Sequence, residues 1–201
     1  MPEWEDPVVL FPRNLFGTWI RSLMDPAGFY AGVPFEAPVM RPVLYFLIVA
    51  IVTAALSLWL SAIGVSSDFV YEALGYESLM DGGSAVFNFW LTPFASLGVL
   101  VAWTLILHLF TLILAPQRRG PGATARVLCY AIGPTVFSLL PILGTLAGAV
   151  WGVVLQVVGI RAAHRTTTGR ALAIVILPTV LLGALLFFLM LAAIGLSSIP
   201  I

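Results

Sequence analysis

The feature that most constrains the fold is the length of the stretches that carry no charge. Between Arg126 and Arg161 lie 34 residues without Asp, Glu, Lys or Arg, and other long apolar stretches precede and follow them. Hydrophobic residues make up 61% of the chain and charged residues 9%, against about 45–50% and about 25% in soluble domains. The sequence therefore predicts an all-α integral membrane protein, because about 20 apolar helical residues cross the hydrocarbon core.

Five segments are long and apolar enough to be predicted as membrane-spanning helices, at 42–64, 93–115, 127–142, 144–160 and 171–196. The second apolar stretch runs from Ser84 to Ala115, and its 32 residues would form a helix of about 48 Å. Because that exceeds one straight crossing, Pro93 is predicted to break the helix and to leave 84–92 as an interfacial lead-in.

The third and fourth predicted spans share the stretch between Arg126 and Arg161. Pro141 and Gly144 divide this stretch, which favours two short crossings joined by a tight turn. The alternative is that 127–160 forms a re-entrant hairpin.

The arginines set the expected orientation. All nine basic residues are arginine, and the five-span arrangement puts every one of them on one side of the membrane. The first loop on the other side, 65–83, carries four acidic residues and no basic one. Arginine is retained on the cytoplasmic side during insertion, so the N-terminus is predicted inside and the C-terminus outside. Arginine without lysine is typical of a GC-rich genome, so we expect a bacterial cytoplasmic membrane.

An amphipathic helix is predicted ahead of the first span, over residues 13–24. Its apolar residues recur at helical spacing and its polar side is basic, which favours a position in the cytoplasmic headgroup region with Trp19 and Ile20 against lipid. The alternative is a helix that packs on the bundle. The predicted organisation is a disordered N-terminus (1–12), the amphipathic helix with a Pro-rich linker (13–40) and a transmembrane domain (41–201).

The sequence lacks the residue combinations and spacings that mark common catalytic and metal sites. There is no lysine, hence no phosphate-binding Walker loop, and no span holds paired carboxylates. His108, His164 and Cys129 lack metal-ligand spacing, and a single cysteine excludes an internal disulfide. The formal net charge is +0, so the chain has no overall positive potential that would attract nucleic acid. We expect a non-enzymatic protein with no cofactor, no metal and no nucleic-acid partner.

Three polar side chains are predicted at a similar depth in the inner half of the membrane: His108, Tyr130 and Gln156. His108 lies about eight residues inside the end of the second span, roughly 12 Å deep. The other two lie about five residues in from the arginine loops. Polar groups in the hydrocarbon core need hydrogen-bond partners within the protein, so we expect these three side chains to be in contact. Such a cluster is either a structural hydrogen-bonded knot or a proton-, ion- or lipid-handling site.

Glycines recur every four residues on the fourth predicted span, at Gly144, Gly148 and Gly152. Small residues at this spacing let helix backbones approach closely. We expect packing within the chain, with a homo-oligomer through the glycine face as the alternative.

Three runs of the sequence together resemble the Yip1 domain family: LHLFTLILAP, RVLCYAIGPTVFSLLPILG and WGVVLQVVGIRAAHRTTTGRALAIVILP. The shared features are a histidine late in span two, a Tyr-x-x-x-Pro in span three, a Gly-Ile-Arg end of span four, and a His before a Gly-Arg-Ala entry to span five. The resemblance covers most of 13–196. It implies five spans and a cytosolic N-terminus. Eukaryotic members act in traffic between endoplasmic reticulum and Golgi and are linked to Rab GTPases, but the region before the first span is only about 40 residues here, so a Rab-type partner is not expected.

Two hypotheses for function follow. The first is a membrane scaffold or adaptor in membrane organisation, which engages anionic lipid or a protein partner through the 13–24 helix and the arginine loops. The second is a small transporter, channel or lipid-moving protein that works through the polar cluster around His108. The candidate lipid or partner contacts are Trp19, Ile20, Arg118, Arg119, Arg161, His164, Arg165 and Arg170.

Overall fold

All regular structure in the residues that the computed structural model describes, 1–62, 85–140 and 143–197, is helical. The α-helices are α1 (Arg13–Met24), α2 (Pro26–Ala31), α3 (Met40–Ala62), α4 (Ala85–Leu114), α5 (Pro121–Tyr130), α6 (Leu143–Ala163) and α7 (Thr168–Ser197). Two 3₁₀ helices cover Glu3–Glu5 and Gly133–Leu139. The loop predicted at 65–83 and the turn at Pro141 lie outside the described residues.

Four helices are long and apolar enough to cross a membrane: α3, α4, α6 and α7. Their most apolar windows have mean hydropathies of 1.9 to 2.8, which fits the hydrocarbon core. The chain is therefore a multi-pass membrane protein. Of the five predicted spans, the one at 127–142 differs most from expectation, because it is not a single helix.

The break in this segment has a local cause. Helix α5 ends at Tyr130, and the chain continues as a 3₁₀ helix only from Gly133. The residue before a proline is driven away from α-helical backbone angles, so Gly133–Pro134 is a poor place to continue an α-helix. The 3₁₀ helix takes Pro134 near its start, where a missing N–H costs least.

Helix α6 runs antiparallel to α5 and the following 3₁₀ helix. At one end, the Arg119 guanidinium donates to the carbonyl of Ala163 at 2.6 Å. At the other end, Gly144 lies against the backbone carbonyl of Phe137. Between them, Gly159 lies against Val127. We call α5 together with the following 3₁₀ helix the α5 segment. It is therefore a neighbour of α6 along the whole length of α6.

The expected break at Pro93 does not occur. Helix α4 continues through Pro93 for 30 residues in all. A proline inside a helix removes one hydrogen bond and can be absorbed by a local adjustment in an apolar setting. Helix α7 likewise continues through Pro178.

The N-terminal segment is more ordered than predicted. Helix α1 has the bounds expected from its periodicity, and Asp25 ends it while capping α2 by accepting from the N–H of Gly28 at 3.0 Å. Helix α2 occupies part of the predicted linker. Residues 1–12, predicted to be disordered, hold a 3₁₀ helix whose Glu5 is buried in the bundle.

Candidate functional site

His108 lies in a short chain of hydrogen bonds that joins α4, α5 and the loop after α6. Its Nδ1 is 3.2 Å from the hydroxyl of Thr124, and that hydroxyl is 3.0 Å from Nε2 of His164. The backbone N–H of Arg119 donates to Nδ1 of His164 at 3.1 Å. Thr124 and His164 are fully buried. We call His108, Thr124 and His164 the histidine–threonine chain.

The direction of these hydrogen bonds follows from the Arg119 contact. Because Nδ1 of His164 accepts a hydrogen bond from a backbone N–H, that nitrogen carries no proton, and the neutral ring has its proton on Nε2. Nε2 then donates to Thr124, whose hydroxyl donates to Nδ1 of His108. Burial, with electrostatic interactions from His108 and Arg119, lowers the pKa of His164 to about 4, so this imidazole stays neutral at physiological pH. The chain thus joins three elements without adding a charge.

Tyr130 belongs to a second polar group, the Glu5–Arg126 cluster (Glu5, Arg126 and Tyr130). One carboxylate oxygen of Glu5 accepts from the guanidinium of Arg126 and from the hydroxyl of Tyr130, each at 2.5 Å. Arg126 also donates to the backbone carbonyls of Ala37 and Pro38, at 2.7 and 2.6 Å. Its side chain is 0% exposed and that of Glu5 is 7% exposed. A buried charge pair with further hydrogen bonds is a strongly coupled unit.

Aromatic side chains enclose this cluster. The rings of Phe29 and Tyr45 pack on Tyr130 with centroids 5.2 and 5.3 Å away. Trp4, next to Glu5 in the chain, packs edge-on to Tyr45 and donates its indole N–H to the carbonyl of Arg41 at 2.6 Å. The contacts of Trp4 and Glu5 therefore hold the N-terminal segment against α3 and α5. We call these contacts the N-terminal clamp.

Gln156 has a third, separate partner. Its side-chain oxygen accepts from the indole N–H of Trp103 at 2.9 Å, which ties α6 to α4. No direct hydrogen bond joins any two of His108, Tyr130 and Gln156 in the described part of the chain. Each of the three is hydrogen-bonded to a different neighbour, so the polar residues belong to three separate hydrogen-bonded groups.

Sequence reasoning missed three residues that hold these groups together: Thr124, Glu5 and Arg126. Thr124 lies where polar and apolar residues alternate without a clear period, so no pattern singles it out. Arg126 was already explained as one of the arginines that set the orientation in the membrane. Glu5 lies in an acidic N-terminal run that looks like a solvated tail. Within the described residues, no group of three or more His, Cys, Asp or Glu is placed to hold a metal.

The glycines of α6 divide into two kinds. A Cβ on Gly144 would collide with the carbonyl of Phe137, and one on Gly148 would lie 2.7 Å from the carbonyl of Pro134. Gly152 has nothing within 4 Å of such a Cβ. The first two let the 3₁₀ helix approach α6, and Gly159, which the spacing did not include, does the same for α5.

Helix α1 faces two environments. Trp19 is half-buried and donates its indole N–H to the carbonyl of Gly133 at 3.0 Å, so part of its ring packs on the bundle, and its contact with lipid stays a prediction. Three apolar side chains spaced four residues apart form an exposed stripe on another face of α1: Phe16, Ile20 and Met24 are 56%, 51% and 78% exposed. The wide apolar arc of α1 is therefore split between the bundle and the exterior.

The arginines expected to contact lipid or a partner are mostly on the surface. Arg119 is half-buried, pairs with Glu36 at 3.4 Å and lies over the ring of Phe35. His164 is buried. The remaining members are exposed: Arg118, Arg161, Arg165 and Arg170.

Comparison with known proteins gives one match. A family model described as the Yip1 domain matches residues 20–191, which include the end of α1, all of α2 to α6 and most of α7. No curated protein and no solved structure matches the chain.

Proposed function

The chain belongs to the Yip1 domain family, and on that premise we propose that it is a non-enzymatic membrane scaffold that couples its bundle to the cytoplasmic leaflet through α1. The observation that carries this proposal is the exposed stripe of Phe16, Ile20 and Met24 on a helix whose opposite side packs on the bundle. A helix held in this way inserts its free apolar side into lipid at a fixed position relative to the spans.

The energetics of the exposed stripe favour lipid over water. Each of its three side chains leaves half or more of its surface open, and burying that surface is worth about 1 kcal/mol or more per side chain. Arg13 and Arg21 are exposed on the same helix and supply attraction to anionic headgroups. Together these features are typical of an interfacial helix.

The polar groups support a scaffold in preference to a catalyst. The side chains of the histidine–threonine chain and of the Glu5–Arg126 cluster hydrogen-bond one another or nearby backbone groups. Each of these bonds joins separate elements, so their evident effect is to fix the cytoplasmic end of the bundle.

The proposed topology has five crossings, with the N-terminus in the cytoplasm of a bacterial cell and the C-terminus outside. Helix α6 has 21 residues and is about 31 Å long, enough to cross. The α5 segment lies beside it from Ala163 to Gly144, so it travels the same distance in the opposite direction. This arrangement supports two crossings over a re-entrant hairpin.

Cysteine labelling tests the crossing of the α5 segment. With Cys129 replaced by Ala, we expect Leu140→Cys to react with a membrane-impermeant thiol reagent added outside intact cells, because Leu140 is 67% exposed and follows the 3₁₀ helix. Thr167→Cys, in the loop before α7, should react only after permeabilisation. Leu140→Cys protected from outside and labelled after permeabilisation would instead establish the re-entrant hairpin.

A fluorescence experiment tests the lipid contact of α1. We expect an environment-sensitive probe on Ile20→Cys, in reconstituted full-length protein lacking Cys129, to emit at the shorter wavelength typical of the bilayer interface and to be quenched by nitroxide-labelled lipid. Phe16→Ser with Met24→Ser should shift that emission toward the value in water, because two of the three apolar anchors are lost.

The matched control places the probe on Thr167→Cys, whose emission should not respond to the same two substitutions. Melting temperature should also stay within a few degrees, since the buried side of α1 is unchanged. An unquenched Ile20 probe in anionic vesicles would show that α1 does not contact lipid.

A further inference from the structure

A groove at the cytoplasmic end of α6 combines an apolar floor with two arginines. It has a volume of about 390 Å³ and lies between α2 and the end of α6. Small apolar side chains from both helices form the floor. Its polar residues are Arg161, Arg165 and Thr166. We call this the arginine groove.

The two arginines of the groove have no acidic partner in the part of the chain that the structure describes. The ion pairs there join Arg119 to Glu36 and Arg126 to Glu5. Arg161 and Arg165 are both exposed and line the same groove, so an anion bound between them would be attracted by two positive charges.

The backbone at Arg165 points to a role for its side chain. Helix α6 ends with the N–H of Thr166 donating to the carbonyl of Arg161 at 3.2 Å, the Schellman arrangement, in which the residue before the donor adopts left-handed backbone angles. Glycine is the usual residue there, whereas this chain has Arg165 with φ of 46°. An arginine at a position that favours glycine is a strained choice.

Thr166 supplies a second, independent feature. Its hydroxyl oxygen is buried and has no hydrogen-bond partner, although it belongs to a residue that lines the groove. Buried polar atoms are normally paired. A ligand with acceptor oxygens in the groove would offset the charge of both arginines, and a rotation of the Thr166 side chain toward the groove would pair its hydroxyl with such an oxygen.

We propose that the arginine groove binds the phosphate group of an anionic phospholipid from the cytoplasmic leaflet. Arg161 and Arg165 donate to the phosphate oxygens, for which the guanidinium fork is suited, and the Thr166 hydroxyl donates a further hydrogen bond. The apolar floor, formed by Ala27, Ala31, Val158 and Ala162, packs against the glycerol and the upper acyl carbons. The inference rests on the proposed membrane arrangement, which puts the end of α6 at headgroup level.

Ligand binding to the purified full-length protein in neutral detergent tests the site. Dioctanoyl phosphatidic acid should bind and raise the melting temperature, since it stabilises only the folded protein. Arg161→Gln with Arg165→Gln should weaken that binding at least tenfold. The matched control is Arg170→Gln, an exposed arginine outside the groove lining, which should change binding less than twofold. Equal weakening by the control and the double variant would overturn the proposal.

Arg165→Gly separates binding from folding. We expect it to raise the melting temperature by about 2–4 °C by relieving the left-handed backbone, and yet to weaken phosphatidic acid binding severalfold. A folded Arg165→Gly protein that binds like wild type would refute the role given to this side chain.

Two competitors identify the source of the phosphate. Dioctanoyl phosphatidylcholine, whose phosphate carries a cationic neighbour, should bind at least tenfold more weakly than phosphatidic acid, and inorganic phosphate should not displace phosphatidic acid at equal concentration. Equal binding of either would reject an anionic phospholipid as the ligand. None of these variants alters α1, so a failure here is separate from a failure of the α1 probe experiment.

Discussion

Glu5→Ala is expected to lower the free energy of unfolding by about 3–5 kcal/mol, the usual cost of removing one partner from a buried ion pair. The variant leaves the guanidinium of Arg126, which is 0% exposed, without its anion. It also removes the acceptor of the Tyr130 hydroxyl. Both losses occur in the aromatic enclosure, where water cannot replace the carboxylate. The measurement is reversible unfolding of the full-length protein in mixed micelles, followed by tryptophan fluorescence.

Asp6→Ala is the matched control for this experiment. It removes an acid from the next position, whose carboxylate accepts from the backbone N–H of Val8 at 2.9 Å in an exposed turn, and it should cost less than about 1 kcal/mol. Combining Glu5→Ala with Arg126→Met should recover part of the loss, because no unpaired charge is then buried. If Glu5→Ala is no more destabilising than Asp6→Ala, the N-terminal clamp contributes nothing to stability.

This N-terminal clamp marks the limit of what the sequence could predict. Helix α1 and the long spans follow from patterns that extend over many residues, so their existence was predictable. Glu5 acts alone, and its partner Arg126 lies 121 positions away. Nothing in the local sequence separates it from Glu3 or Asp6. Only the folded bundle, which buries the Arg126 guanidinium, gives that one carboxylate a role.

The histidine–threonine chain shows a different limit. Depth along a helix can be read from the sequence, and His108 does make a hydrogen bond in the C-terminal part of α4. Its partner depends on the rotation of α5, which depth does not fix. Thr124 and Tyr130 are six residues apart and therefore about 240° apart around the helix. His108 meets the side that carries Thr124, and Tyr130 faces Glu5.

The segment after α5 was predicted as one span because length and hydropathy alone were counted. Gly133–Pro134 was visible in the sequence, and the restriction that proline places on the preceding residue predicts a break there. The consequence is useful to the fold: the break leaves the carbonyl of Gly133 available to the indole of Trp19. The break after α5 thereby provides the site at which α1 attaches to the bundle.

The last prediction compares two glycines of α6 that the sequence treats as equivalent. Gly144→Ala is expected to destabilise the bundle by about 1–3 kcal/mol or more, because the added methyl group meets the backbone carbonyl of Phe137, which cannot rotate away as a side chain can. Gly152→Ala, with open space at that position, should be neutral or stabilising by up to about 1 kcal/mol, the helix-propensity gain. Parallel unfolding of both variants in mixed micelles makes the comparison. Equal destabilisation by the two would mean that Gly152 is covered in the folded protein, as a homo-oligomer through this face requires, whereas a large difference places the close contact within one chain.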